Sequence, residues 1–195
     1  MKTFLFEFIA LVILILVAPA SILVDITILK NSVSEISVTE FMQEILIILS
    51  AIIFFKAYLK ESSSKGLYVL IAGLFLMMFI REGDYYLDYV VHGFWKLPVL
   101  LVFIASVYYA RKSKTNIMDS MLQESKTREF AIVLMGFLII VLFSRLFGTS
   151  NLWAGIVSKE YLHIVKTVIQ EGVELFGYSM LFYGSALFYF RKREA

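Results

Sequence analysis

Six apolar stretches recur along this chain, each close to the roughly 20 residues a helix needs to cross the hydrocarbon of a bilayer. They fall at about residues 4–24, 39–59, 67–88, 94–110, 129–147 and 163–190, separated by short polar turns. In lipid every backbone N–H and C=O must be satisfied internally, and a helix does this within one segment. The expected fold is an all-α integral membrane protein, a six-transmembrane-helix bundle built as one domain over residues 1–195. Composition agrees: 60% of the residues are hydrophobic and the mean hydropathy is +0.83, far outside the globular range. No polar stretch is long enough to form a soluble domain.

Local signals punctuate the spans. Ser37-Val38-Thr39-Glu40 reads as a capping box opening the second helix, and Ser158 as a cap for the sixth. Pro98 sits in the first turn of the fourth, where its missing N–H is tolerated. Met1-Lys2, an apolar run and Ala18-Pro19-Ala20 look like a secretory signal, but Glu7 interrupts the apolar region, so a retained first helix is expected. Cleavage would leave five spans.

Lys and Arg set the direction. With both termini inside, twelve of the eighteen basic residues are cytoplasmic: Lys2, Lys56, Lys60, Lys65, Arg111, Lys112, Lys114, Lys126, Arg128, Arg191, Lys192 and Arg193. Ten of the sixteen acids fall on the other side. Trp95 and Trp153 then lie in outer loops, at headgroup level. The expected location is the cell inner (plasma) membrane, multi-pass. On the inner side, residues 115–124 carry Ile117, Met118, Met121 and Leu122 on one face, as a short amphipathic helix on the membrane surface would.

Charges then mark a shared depth. Counted from the cytoplasmic basic residue of each helix, Glu44, Arg81, Lys96, Arg145 and Glu174 lie 15–17 positions along. At 1.5 Å per residue this is about 23–26 Å above the inner edge, in the outer leaflet or at its boundary. Glu82, Asp84, Lys166 and Glu171 lie next to that layer. From the end of the third span onward Asp84, Asp88, His92 and Lys96 recur every four residues, and on a helix they would form one polar stripe. The sixth helix aligns His163, Lys166, Gln170 and Glu174, with Glu171 beside them. Its Gly172, Gly177, Ser179, Gly184 and Ser185 thin it for close packing, which suits a central helix.

The candidate metal ligands are Asp84, Asp88, His92, Glu171 and Glu174, an oxygen and imidazole set suited to zinc, manganese or iron. The surrounding polar network comprises Glu44, Arg81, Glu82, Arg145, His163, Lys166 and Gln170. A divalent metal is the candidate cofactor; haem, which the two histidines could in principle hold axially, is disfavoured. The absence of cysteine excludes thiolate nucleophiles, Cys-ligated zinc and iron–sulfur clusters. No basic patch or motif points to nucleic acid. Nor do glycine-rich phosphate loops or nucleophile elbows occur.

Charged groups between membrane helices most often mark ion or proton pathways. The leading expectation is thus an acid-rich polar cavity that binds or moves a cation, either a proton or a divalent metal, with the bilayer and a small cation or lipid ligand as partners. Two alternatives stay open: a membrane-embedded enzyme acting on a lipid or lipid-linked substrate, and a non-catalytic subunit or sensor whose charge network is structural.

Overall fold

A computed structural model describes residues 2–31, 33, 36–89 and 91–194, and the side chains of all but residues 2–4, 193 and 194 among these. Every regular element in them is helical. Helix α1 (Lys2–Leu23) runs into a π-helical turn (Val24–Leu29), followed by α2 (Val38–Lys60), α3 (Lys65–Glu82) and a short α4 (Asp84–Asp88). After these come α5 (Lys96–Lys112), α6 (Ile117–Glu124), α7 (Arg128–Leu138), a second π turn (Ile139–Phe143) and α8 (Ser144–Phe147). The chain ends with α9 (Ser150–Trp153) and the long α10 (Leu162–Glu194). Among the described residues, three stretches are long and apolar enough to cross a membrane: Leu5–Leu29, Val38–Lys60 and Arg128–Phe147.

Two compact units divide the chain, and the division runs through α2, α7 and α10. The first contains residues 1–43 and 134–183. Its core is the middle of α10, where Leu175, Tyr178 and Leu181 are fully buried. Glycine makes the approach to α7 possible: a Cβ at Gly136 would stand 2.5 Å from the Leu181 backbone nitrogen and 2.7 Å from the Gly177 carbonyl oxygen. Small residues therefore do bring this helix close to its neighbours, as its composition implies.

Asp25 organises the junction between the first π turn and α2. Fully buried, its carboxylate accepts from the backbone N–H of Val38 (2.8 Å) and Thr39 (2.9 Å) and from the Thr39 hydroxyl (2.6 Å). The Ser37 hydroxyl accepts from Glu40 N–H at 3.1 Å, one half of the expected capping box. A helix start leaves four N–H groups without intrahelical partners, and Asp25 takes two of them from 13 and 14 residues away.

The second unit holds residues 44–133 and 184–195. Its centre is aromatic: Phe54 stacks on Phe188 with centroids 4.7 Å apart, and Phe75 and Tyr68 meet this pair edge-on. Helices α3 and α5 press together at Gly73, whose Cβ would fall 1.9 Å from the Ser106 hydroxyl.

Helix α6 is amphipathic in an inverted sense. Asn116 caps it by accepting from Met118 and Asp119 N–H. Its polar Ser120 and Glu124 are buried against the protein, while Met118, Met121 and Leu122 are exposed. An apolar face turned outward is what an interfacial helix presents to lipid.

Two sequence expectations are corrected. The third apolar stretch does not continue to residue 88, because the helix breaks at Gly83 and a separate short turn of helix, α4, comes after it. The stripe through Asp84, Asp88, His92 and Lys96 is broken with it, since His92 and the left-handed Gly93 (φ +80°) lie in the loop and Lys96 starts α5. Glycine without a Cβ is what permits that backbone turn. At the last helix the start is Leu162, so Ser158 lies one turn earlier, its carbonyl accepting from the N–H groups of Tyr161 and Leu162.

Candidate functional site

The first unit gathers a polar centre around two acids of α10, Glu171 and Glu174. Gln43, on the first turns of α2, is fully buried. Its amide nitrogen donates to the Glu171 carboxylate at 3.1 Å and to the Glu171 backbone carbonyl at 3.3 Å. The other end of that amide, the Gln43 Oε1 atom, is buried and receives no hydrogen bond from the protein.

Glu174 is buried to 1% exposure and draws partners from two elements. One carboxylate oxygen accepts from the Gln170 amide at 3.1 Å, one turn earlier on α10, and from the Ser144 hydroxyl at 3.2 Å. The guanidinium of Arg145 approaches the same oxygen at 3.3 Å, with its own side chain 45% exposed. Thus Arg145 reaches the buried carboxylate from a position open to the surroundings.

Local sequence explains why these groups meet. The π turn Ile139–Phe143 adds an extra residue to the hydrogen-bonded ring and rotates Ser144 and Arg145 relative to their places on a plain α-helix. The single Ser144 hydroxyl proton is shared between the Ile140 carbonyl of that turn at 2.5 Å and the Glu174 carboxylate at 3.2 Å. Gly148 then leaves room for Gln170, whose amide oxygen would lie 2.6 Å from a Cβ at that position. A count of 1.5 Å per residue along this span assumes a plain α-helix, which the π turn is not.

The remaining candidates are divided between the two units. His163 is exposed and Lys166 half-buried. In the second unit, Arg81 pairs with Glu82 at 3.1 Å, and Glu44 lies beside Gly83, 3.9 Å from where its Cβ would be. Asp88 accepts from Gly93 N–H at 2.8 Å and approaches His92 at 2.9 Å, with the imidazole 99% exposed. This pair stabilises a surface turn. Asp84 sits at the start of α4. Among the described residues no group of three or more His, Asp or Glu side chains is placed to hold a metal ion.

Three groups escape sequence reasoning. Asp25 reads there as one more outer acid. Gln43 draws no notice because it is uncharged, although an amide four residues after Thr39 in an apolar run is a readable signal. Glu124 looks like part of a solvated loop, yet it is 5% exposed and receives Tyr68, Arg191 and Lys192. Its signal is an acid inside a loop otherwise rich in lysine.

Comparison with protein-family models, curated proteins and solved structures gives no match.

Proposed function

We propose that this is a multi-pass protein of the inner (plasma) membrane, with six spans and both termini inside, whose polar centre at Glu171 and Glu174 binds a cation, foremost a proton. The observation that carries this reading is the buried Gln43 Oε1, an acceptor without a protein donor beside the Glu171 carboxylate. Buried acceptors are nearly always satisfied, so an orphan beside a carboxylate calls for a donor or a positive charge. The acceptors this centre offers are oxygens, the Glu171 carboxylate that takes the Gln43 amide N–H and, at the other end of that amide, the open Gln43 Oε1, and oxygen acceptors suit a proton, hydronium or an alkali or alkaline-earth ion rather than a soft metal.

A second reading, a structural charge network, is favoured by Glu174 itself. Arg145, Ser144 and Gln170 all converge on one oxygen of that carboxylate, which gives its charge a protein cation and neutral donors. The two readings part at the variants Glu171→Gln and Glu174→Gln. In purified protein, a cation site at Glu171 predicts a melting temperature that shifts with pH or with added Na⁺, Mg²⁺, Ca²⁺, Mn²⁺ or Zn²⁺, and loses that shift in Glu171→Gln at equal or higher stability. Wild type indifferent to every ion and to pH, with both variants melting early, would leave only the scaffold.

A further inference from the structure

At the far end of α2 the second unit carries a cavity of about 330 Å³ between α2 and α10. Lys56, Lys60 and Lys192 line it together with Glu61, and Ala57 and Phe188 form part of its apolar wall. Because Val38–Lys60 is long and apolar enough to span a membrane, its last turn comes to headgroup depth whichever way the protein is inserted.

The three ammonium groups differ in their freedom. Lys192 is held by Glu124 at 3.4 Å and Glu61 at 4.0 Å, and stands 5.9 Å over the Phe188 ring. This also accounts for the one carboxylate in the lining, which faces a cation already. Lys56 and Lys60 are exposed, lie one helical turn apart, and have no carboxylate partner among the described residues. Two like charges at i, i+4 disfavour each other unless an anion comes between them. The volume lies at the lower end of small-ligand sites, roughly 300–1,000 Å³, enough for a headgroup. Apolar walls beside the lysines suit a ligand that is anionic at one end and hydrocarbon at the other.

We propose that this cavity binds a phosphate group, carried by an anionic phospholipid of the adjoining leaflet. Its lysines supply the charge and Ala57 and Phe188 the surface along which the glycerol and the start of an acyl chain lie. The inference is independent of the cation reading, which concerns the other unit.

Native mass spectrometry of the full chain, released from micelles doped with phosphatidylglycerol or phosphatidylcholine, tests it. The expected result is retention of phosphatidylglycerol over phosphatidylcholine, weakened about 10- to 30-fold in Lys56→Gln/Lys60→Gln, near the surface contribution of two lysines. Ala57→Phe, which fills the cavity and keeps the charge, should also lose the lipid. Lys112→Gln/Lys126→Gln, which removes equal charge elsewhere, should keep it. Displacement by millimolar glycerol 3-phosphate would retain the phosphate site and assign it to a soluble ester. Equal binding of both lipids, or equal loss in the Lys112/Lys126 control, would overturn the proposal.

Discussion

Arg191, three residues from the end of α10, donates to Glu124 of α6 at 2.5 Å, while Tyr68 of α3 donates to the other oxygen of the same carboxylate at 2.5 Å. One acid thereby ties three helices of the second unit together. Burial works against its charge, but the hydrogen bonds from Tyr68 and Arg191, with the charges of Arg191 and Lys192, hold the Glu124 carboxyl below the usual carboxylate range.

Removing this acid should be costly. Glu124→Ala leaves a buried tyrosine hydroxyl and a half-buried guanidinium without their acceptor. Breaking a buried pair costs about 3–5 kcal/mol, and the 32% exposure of Arg191 reduces that to about 2–4. Thermal unfolding in detergent should show a clear drop, with Glu124→Gln, which keeps an acceptor for Tyr68, falling between.

The same site sets an acid limit. A carboxylate whose folded value is depressed contributes stability that is complete above its unfolded value, 4.5, and is lost as pH falls through the folded value. As pH falls below the unfolded value, wild type should therefore lose more stability than Glu124→Gln. Parallel pH profiles for the two proteins would show that Glu124 is not the group responsible.

How much of this is legible in the sequence? Apolar run length carries the helices, because backbone satisfaction in lipid leaves a 20-residue apolar segment little choice. The break at Gly83 is harder, since Asp84 to Lys96 keeps a four-residue repeat that an unbroken helix would also show. Charges guide the eye and so mark Glu171, Glu174 and Arg145. Partners that are neutral, Gln43 and Ser144, carry no such mark, and a π turn that re-aims a side chain has no simple periodic signature. Asp25 shows a further blind spot: a cap from 13 residues away cannot be read from a local motif.

Asp25→Ala should destabilise the start of α2 beyond an ordinary cap loss. Cap removal costs about 0.5–2 kcal/mol, and each buried N–H left without a partner adds about 1–3. Asp25→Asn should not rescue fully, because an amide offers one acceptor oxygen where the carboxylate uses both. Amide hydrogen exchange at Val38 and Thr39 should accelerate in both variants.

Glycine positions give a graded steric test. At Gly136 the obstruction is backbone, so Gly136→Ala should cost about 1–3 kcal/mol as overpacking does. Nothing lies within 4 Å of a Cβ at Gly155, and Gly155→Ala should be close to neutral. At Gly73 the obstacle is the Ser106 side chain, whose Oγ and Cβ would lie 1.9 and 2.7 Å away. Gly73→Ala should destabilise, and adding Ser106→Gly should recover part of the loss. Additive effects of the two changes would deny that contact.

Reporter fusions address the crossing number. Fusions after Lys65, Lys114 and Arg193 should read cytoplasmic, and those near Gly93 and Ser150 should read outside. A fusion near Ser34, which lies outside the described residues, should also read outside. An inside signal at Gly93 would place the acids of α4 on the cytoplasmic face and overturn the common depth that the sequence leads one to expect for the charges.

The sharpest coupling to measure is between Arg145 and Glu174. They belong to different helices and meet at 3.3 Å, with the acid almost wholly buried and the arginine 45% exposed. Arg145→Ala removes a cation from a buried carboxylate that also holds the neutral donors Ser144 and Gln170. A fully buried pair would lose about 3–5 kcal/mol; exposure of the guanidinium brings the expectation to about 1–3. Glu174→Gln alone removes the charge that needs compensation, so Arg145→Ala should cost much less in that background. A double-mutant cycle on melting temperature should therefore be strongly non-additive. Additive losses would mean that Arg145 is solvated in the surroundings and that Glu174 is held by Ser144 and Gln170 without it, which would remove the cross-helix ion pair from any account of this site.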